Sequence, residues 1–381
     1  MIRLKNYFNA ELQSKNWKIK FTIYLFVLAM ICSTPYFNYL FQPDYFQHPY
    51  WVTVMKQVHS STIYKTYEGV NPVSHEAKKT FRLTVPIIAR IFHLNEIGIY
   101  LLQFLLGILF IYFIIDYAWK STNDRLLAFY IALGATSVYF GTACFTDLYS
   151  YFSGWAFLFL FLCIYSKNNW LIFLLATLAA WTDERAFLSL VYPVFYWQIK
   201  NYFTENKSLK DLLIPQKKSI VIIVAMLVYV LARIYLQYAG FGTSHVESFL
   251  LSNLEIAPIG VFTFFEGFWI LIAYKFYVLL SEKKYALFFI SLLLLMAMSV
   301  GSLIVLDITR SGSFMLLEVF ISVYIILQLR GAAVLKSYLF FAVLICVIFP
   351  PYNVIGLNGP VLLQRNVIYL ACKFLVGHVH L

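Results

Sequence analysis

The chain's long unbroken apolar runs limit what it can fold into more than any other feature. Tyr285–Leu306 carries no charged residue and is long enough for a helix to cross a bilayer, which takes about 20 residues. Strands of an outer-membrane barrel alternate apolar and polar positions over short segments, and these runs do not. Hydrophobic residues make up 61% of the chain and charged residues 12%. A soluble domain holds about 45–50% and about 25%, so a soluble globular enzyme is excluded. The aromatic share of 19% excludes a disordered chain. The expected fold is all-α: one integral membrane domain over residues 1–381, a bundle of about eleven spans.

The spans fall near 21–41, 97–117, 126–145, 152–165, 170–181, 186–199, 219–239, 259–280, 285–306, 314–329 and 338–350. The first run reads as a retained span and not a cleaved signal peptide, because no small-x-small site follows it. Lys and Arg set the orientation. With the N-terminus inside, the inner segments 1–20, 118–125, 166–169, 200–218, 281–284 and 330–337 hold 17 of the 29. The outer segments hold 10, six of them in the long loop 42–96, and Arg233 and Lys275 lie within spans. This bias predicts a cytoplasmic N-terminus, and the composition, rich in Lys, Ile, Phe and Tyr with no readable organelle signal, points to a bacterial inner membrane. Two readings fit 170–199: a hairpin with Thr182–Arg185 at an outer tip, or one long tilted helix carrying a buried charge cluster.

The loop 42–96 is the largest outer segment, and a short tail, 351–381, lies on the same side. Ala77, Phe81, Val85, Ile88 and Phe92 recur at near-helical spacing with Lys78, Lys79, Arg82 and Arg90 between them. That pattern predicts an amphipathic helix at the interface, kinked by Pro86, or else a short re-entrant span. Lys275 is read as reaching water at the inner side.

The titratable residues are skewed to one side. Asp44, Asp147, Asp183, Glu184, Arg185, Glu247, Asp307, Arg310 and all seven histidines, His245 among them, fall outside or at outer helix ends. Arg233, Glu266 and Glu318 lie in the outer halves of their spans. Charge within a bilayer is costly and usually functional, so these residues point to a polar cavity on the outer side. Asp44, beside Pro43, Pro49 and several aromatics, suits a base that removes a proton from an acceptor hydroxyl, or equally a capping residue in an aromatic belt. Lys78, Lys79 and Arg82, with Arg90 beyond, suit a lipid-linked phosphate, or plain attraction to anionic headgroups. Asp183-Glu184-Arg185 and Asp307-Ile308-Thr309-Arg310 each place acid beside base at a helix end. Each is a structural ion pair or a device that orients Arg towards a phosphate, and the acids could also hold a divalent metal. No cofactor is required by these residues.

The motifs of other chemistries are missing. There is no GxSxG elbow, P-loop, HExxH or GxGxxG. The five cysteines stand singly, without the pairs of a zinc site, and are read as small apolar residues. The net charge of +11 records membrane orientation, with no basic soluble segment for nucleic acid.

Taken together, Asp44 after the first span, the run Phe81-Arg82-Leu83-Thr84-Val85-Pro86 in the first outer loop, the turn Asp183-Glu184-Arg185 and the late Asp307-Ile308-Thr309-Arg310 resemble the GT-C superfamily of polytopic glycosyltransferases. The likeness covers roughly the first 200 residues by layout, plus the late motif. It implies a polyprenyl-phosphate sugar as donor, a glycan or lipid as acceptor, and transfer on the extracytoplasmic face. It further implies Asp44 as base, Lys78, Lys79, Arg82 and Arg310 on phosphate, and Asp183 and Glu184 orienting Arg185 or a metal. Many members carry a second acid where this chain has Tyr45. A polysaccharide polymerase or ligase of the envelope fits the same residues. A secondary transporter or flippase would instead place polar residues at mid-membrane in several helices.

Overall fold

A computed structural model describes residues 10–32, 46, 49–60, 81–147, 151–204, 212, 214–238, 248–349, 353–355 and 359–361. They are helical apart from one small antiparallel hairpin, Asn353–Ile355 with Gly359–Val361. Among them, Glu96–Thr122, Lys217–Tyr238, Ala257–Ser281, Tyr285–Ile304 and Ile308–Ile348 are long and apolar enough to cross a membrane. The bent pair Arg125–Ser137 and Tyr139–Thr146 makes a sixth if taken as one span. Ser153–Tyr165 and Asn169–Thr182 are apolar but shorter, so length alone does not reach eleven. Large apolar side chains such as Leu231, Tyr235, Phe289 and Leu293 are exposed. That much apolar surface needs lipid around it, and the chain is an integral membrane protein.

The chain forms two compact units. The first comprises Met1–Pro35, Gly107–Thr142 and Ser252–Leu381. Gly260 meets Ile308, Gly312 meets Phe264 and Arg330 pairs with Glu282. The helices around 257–281 and 308–330 therefore run side by side in the same direction. Tyr285–Ile304 returns between them, with Asn253 donating to the carbonyls of Leu303 and Val305 at 2.8 Å.

Leu317–Ile348 is two helices, not one. Gly331 has φ 79° and ψ 174°, a left-handed region that favours glycine. Tyr274 stacks on Tyr338 at 3.8 Å, while Cys346 approaches the Phe265 carbonyl. The second half thus runs antiparallel to Trp269–Ser281, and the chain doubles back at Gly331.

Several ties hold the lysine-bearing ends of this unit together. Lys18 and Lys120 both reach Asp116 at 2.5 Å. Arg125 donates to the Leu12 carbonyl at 2.6 Å and Lys336 approaches Asp124. Asp124 caps Arg125–Ser137 by accepting from the Leu126 and Leu127 amides, which lack partners within the helix.

The second unit comprises Tyr36–Leu106 and Ala143–Leu251. Asn168 caps Asn169–Thr182, and Asp183 then adopts an extended backbone before Glu184–Ser189 and Val191–Thr204. The Cys163 thiol lies 4.0 Å from the Ile172 carbonyl, and the Cys163 carbonyl accepts from Trp197 Nε1 at 3.1 Å. A straight helix would separate Ile172 from Trp197 by roughly 38 Å at 1.5 Å per residue. The chain therefore reverses near Asp183, as in the hairpin reading. Lys217–Tyr238 starts beside the same end, where Ser219 donates to the Val194 carbonyl at 3.2 Å. It runs up towards the Asp183 turn.

Three expectations need correction. The helix near Pro86 covers only Thr84–Ile91, and Pro86 sits in its first turn, where a missing N–H costs little. There is no kink, and residues 61–80 lie outside the described set. Arg90 is not grouped with Arg82; it donates to the carbonyls of Gln57, Val58 and Ser60 at the end of Pro49–His59. Lys275 does not reach water. It is fully buried, bonded to Glu318 and to Ser291 at 2.5 Å, because two neighbouring helices each offer it a partner.

Candidate functional site

In the second unit, the turn after Asn169–Thr182 builds a dense charged cluster. Asp183 is fully buried. Its Oδ1 caps the next helix by accepting from the Arg185 amide at 2.9 Å. The same oxygen accepts from Arg185 Nε at 2.8 Å, and Oδ2 accepts from Arg185 Nη2 at 2.6 Å. Arg82 Nη2 lies 3.3 Å from both Asp183 Oδ2 and Glu184 Oε2. A buried carboxylate is tolerated when it is paired and hydrogen-bonded, and Asp183 meets both conditions.

Arg82 is brought there by local structure. Thr84 donates to the Leu178 carbonyl at 2.8 Å, fastening Thr84–Ile91 against the hairpin. Phe81 lies buried under Arg233, whose guanidinium carbon is 3.8 Å from the ring centroid. Tyr229, one turn earlier on the same helix, packs on Phe187 at 4.7 Å and Trp181 at 4.8 Å. Three guanidinium groups and two carboxylates thus meet around an aromatic floor. A cation over a ring face gains more when water is excluded.

Of the residues expected from sequence, Arg82, Asp183, Glu184 and Arg185 come together here. Asp44, Lys78, Lys79 and His245 lie outside the described residues. Asp307 and Arg310 belong to the first unit and form their own pair at 2.5 Å. Beside them the Thr263 and Thr309 hydroxyls are 2.5 Å apart, and the Val354 amide donates to Thr309 at 3.0 Å. The small hairpin therefore covers this helix start. The sequence had flagged Arg233 as an intramembrane charge, but not its aromatic partners. Part of the signal was present: Tyr229 lies one turn before Arg233 on the same helix, and Phe81 adjoins Arg82.

The cluster can hold an oxyanion next to pre-oriented guanidinium groups. Asp183 spends both oxygens on arginine, so it acts as the holder of Arg185 and Arg82. Among the described residues no three His, Cys, Asp or Glu side chains gather as a metal ligand set.

The first unit holds the other buried charges. Lys275 and Glu318 pair within the apolar layer. Glu266 is buried at a helix break with φ 47°, and neither of its carboxylate oxygens has a hydrogen-bond partner among the described residues. Cys144, Cys163 and Cys346 are free and buried, in keeping with small apolar roles.

Comparison with protein families, curated proteins and solved structures finds no match.

Proposed function

We propose that this integral membrane chain transfers a sugar from a lipid-phosphate donor to a glycan or lipid acceptor on the extracytoplasmic face. The reading includes about eleven spans, an interfacial element in the loop 42–96 and a cytoplasmic N-terminus in a bacterial inner membrane. One observation carries it: Arg185 and Arg82 are held by buried Asp183 at a helix end. Guanidinium groups fixed beforehand stabilise charge on a leaving phosphate without reorganising during reaction.

In this mechanism Asp44 takes the proton of the acceptor hydroxyl. The acceptor oxygen bonds to the sugar's anomeric carbon as the bond from that carbon to the donor phosphate breaks. The phosphate leaves with the bonding electrons, and Arg82 and Arg185, with Lys78 and Lys79, neutralise it. Glu184, partly exposed beside Arg82, helps to fix the fork. Asp307 and Arg310 are assigned a supporting phosphate-binding role in the first unit, and His245 a substrate contact.

The test uses full-length protein in proteoliposomes with radiolabelled polyprenyl-phosphate sugar. Asp44→Asn is expected to bind donor but not to transfer. Normal transfer by Asp44→Asn would remove Asp44 as base. Donor binding that survives Arg82→Gln with Arg185→Gln unchanged would end the phosphate assignment.

A secondary transporter or flippase is the second reading, favoured by Lys275–Glu318 and Glu266 in the apolar layer. It predicts that Lys275→Met with Glu318→Gln abolishes substrate movement across the bilayer. The transfer reading predicts that the same variant, once folded, still transfers sugar.

A further inference from the structure

At the end of the second unit away from Asp183 lies a pocket of about 280 Å³. It is lined by Trp197, Lys200, Asn201, Thr204, Gln216, Lys217 and Lys218. Lys218 Nζ sits 3.5 Å from the Trp197 ring centroid and Lys200 Nζ 5.0 Å from it. Lys167, in the neighbouring turn, adds a further charge felt by Lys200. Among the described residues no carboxylate lies within ion-pair distance of these four lysines. Five other lysines, Lys18, Lys20, Lys120, Lys275 and Lys336, each have an acid.

Lysines gathered this closely repel one another, and this arrangement is held by packing. Trp197 is anchored by its bond to the Cys163 carbonyl, and the ring offers its face to two ammonium groups. Asn201, Thr204 and Gln216 add neutral hydrogen-bonding groups to the wall. Lys217 and Lys218 open the helix Lys217–Tyr238, whose first amides lack intrahelical acceptors and favour an anion. The volume is just under the range of about 300–1,000 Å³ for drug-sized ligands, which suits a single phosphorylated headgroup.

We propose that this pocket binds a phosphoryl anion, carried by an anionic lipid headgroup or by a soluble phosphate compound. The site is separate from sugar transfer. Lys218 and Arg233 are fifteen residues apart on one helix, about 22 Å at 1.5 Å per residue.

The experiment places full-length protein in nanodiscs of two kinds. One is phosphatidylcholine with inorganic phosphate titrated in, and the other contains phosphatidylglycerol. Thermal unfolding midpoints and lipid retained in native mass spectra are read for wild type, Lys200→Gln with Lys218→Gln, Lys200→Arg with Lys218→Arg, and a control, Lys15→Gln with Lys283→Gln. Anion binding is expected to weaken at least tenfold in the glutamine pair and to survive in the arginine pair and the control. A response only to phosphatidylglycerol identifies a lipid, and a response to inorganic phosphate in neutral lipid identifies a soluble ligand. Equal responses from wild type and the glutamine pair in both arms overturn the proposal. So does a control that loses as much as the glutamine pair.

Discussion

Asp183 grips Arg185 with both carboxylate oxygens while sharing one of them with Arg82. Breaking a buried pair by removing one partner costs about 3–5 kcal/mol. Asp183→Asn should therefore lower the thermal unfolding midpoint sharply, because two guanidinium groups lose their holder. Glu184 is much more exposed, and an exposed pair contributes about 0–1 kcal/mol. Glu184→Gln should leave the midpoint nearly unchanged. Equal effects of the two substitutions in detergent melts would contradict the central role of Asp183.

Lys275 and Glu318 form the second buried partnership. Lys275→Met alone leaves a carboxylate in an apolar layer, and Glu318→Gln alone leaves an ammonium. Each single change is expected to cost about 3–5 kcal/mol because it leaves one charge buried without its partner, and the double change leaves none. Lys275→Met with Glu318→Gln should therefore be more stable than either single variant. A double-mutant cycle on unfolding midpoints measures the coupling, and simple additivity would rule it out.

Three glycines separate contact from backbone conformation. A Cβ at Gly267 would run into the Ala342 carbonyl and Ile345, so Gly267→Ala should cost about 1–3 kcal/mol as overpacking. Gly331 has open space but positive φ, so Gly331→Ala should cost about 1–2 kcal/mol through conformation alone. Gly301, in the last turn of Tyr285–Ile304 with nothing near its Cβ position, should gain no more than about 1 kcal/mol as alanine. Ranking the three melts checks the order.

Lys200 carries a stability signature even without ligand. Burial first, and then the charge of Lys167, hold its ammonium below the ordinary lysine value. The unfolded chain then binds more protons between the lowered folded value and about 10.4, so stability rises with pH through that window. In anion-free buffer Lys200→Gln should flatten this rise. At neutral pH it should be as stable as wild type or better, by no more than about 1 kcal/mol given solvent screening. Melting curves from pH 7 to 10 provide the comparison.

The helices were legible because apolar runs and lysine-bearing turns each follow local rules. The reversal near Asp183 could be read from lysines on both flanks of 170–199. The break at Gly331 falls at the start of the segment 330–337, which Arg330 and Lys336 mark. Pairings between distant residues were not legible. Lys275 meets Glu318 across 43 positions and Arg90 meets the Ser60 carbonyl across 30, and no periodicity encodes such contacts. Arg82 could be chosen for its charge, yet its place beside Asp183 depends on Thr84 binding the Leu178 carbonyl. The break at Glu266 has no sequence marker beyond the acid itself, because its φ of 47° belongs to a residue type that seldom adopts it.

Gly331 also bears on how the chain meets proteases. Arg330 and Lys336 both offer trypsin its preferred side chain, but the chain reverses within one residue and is helical on both sides. Proteolytic nicking favours slack, exposed loop tips, and here there is no slack to draw out. Two antiparallel helices can therefore be joined at a basic turn that digestion leaves whole.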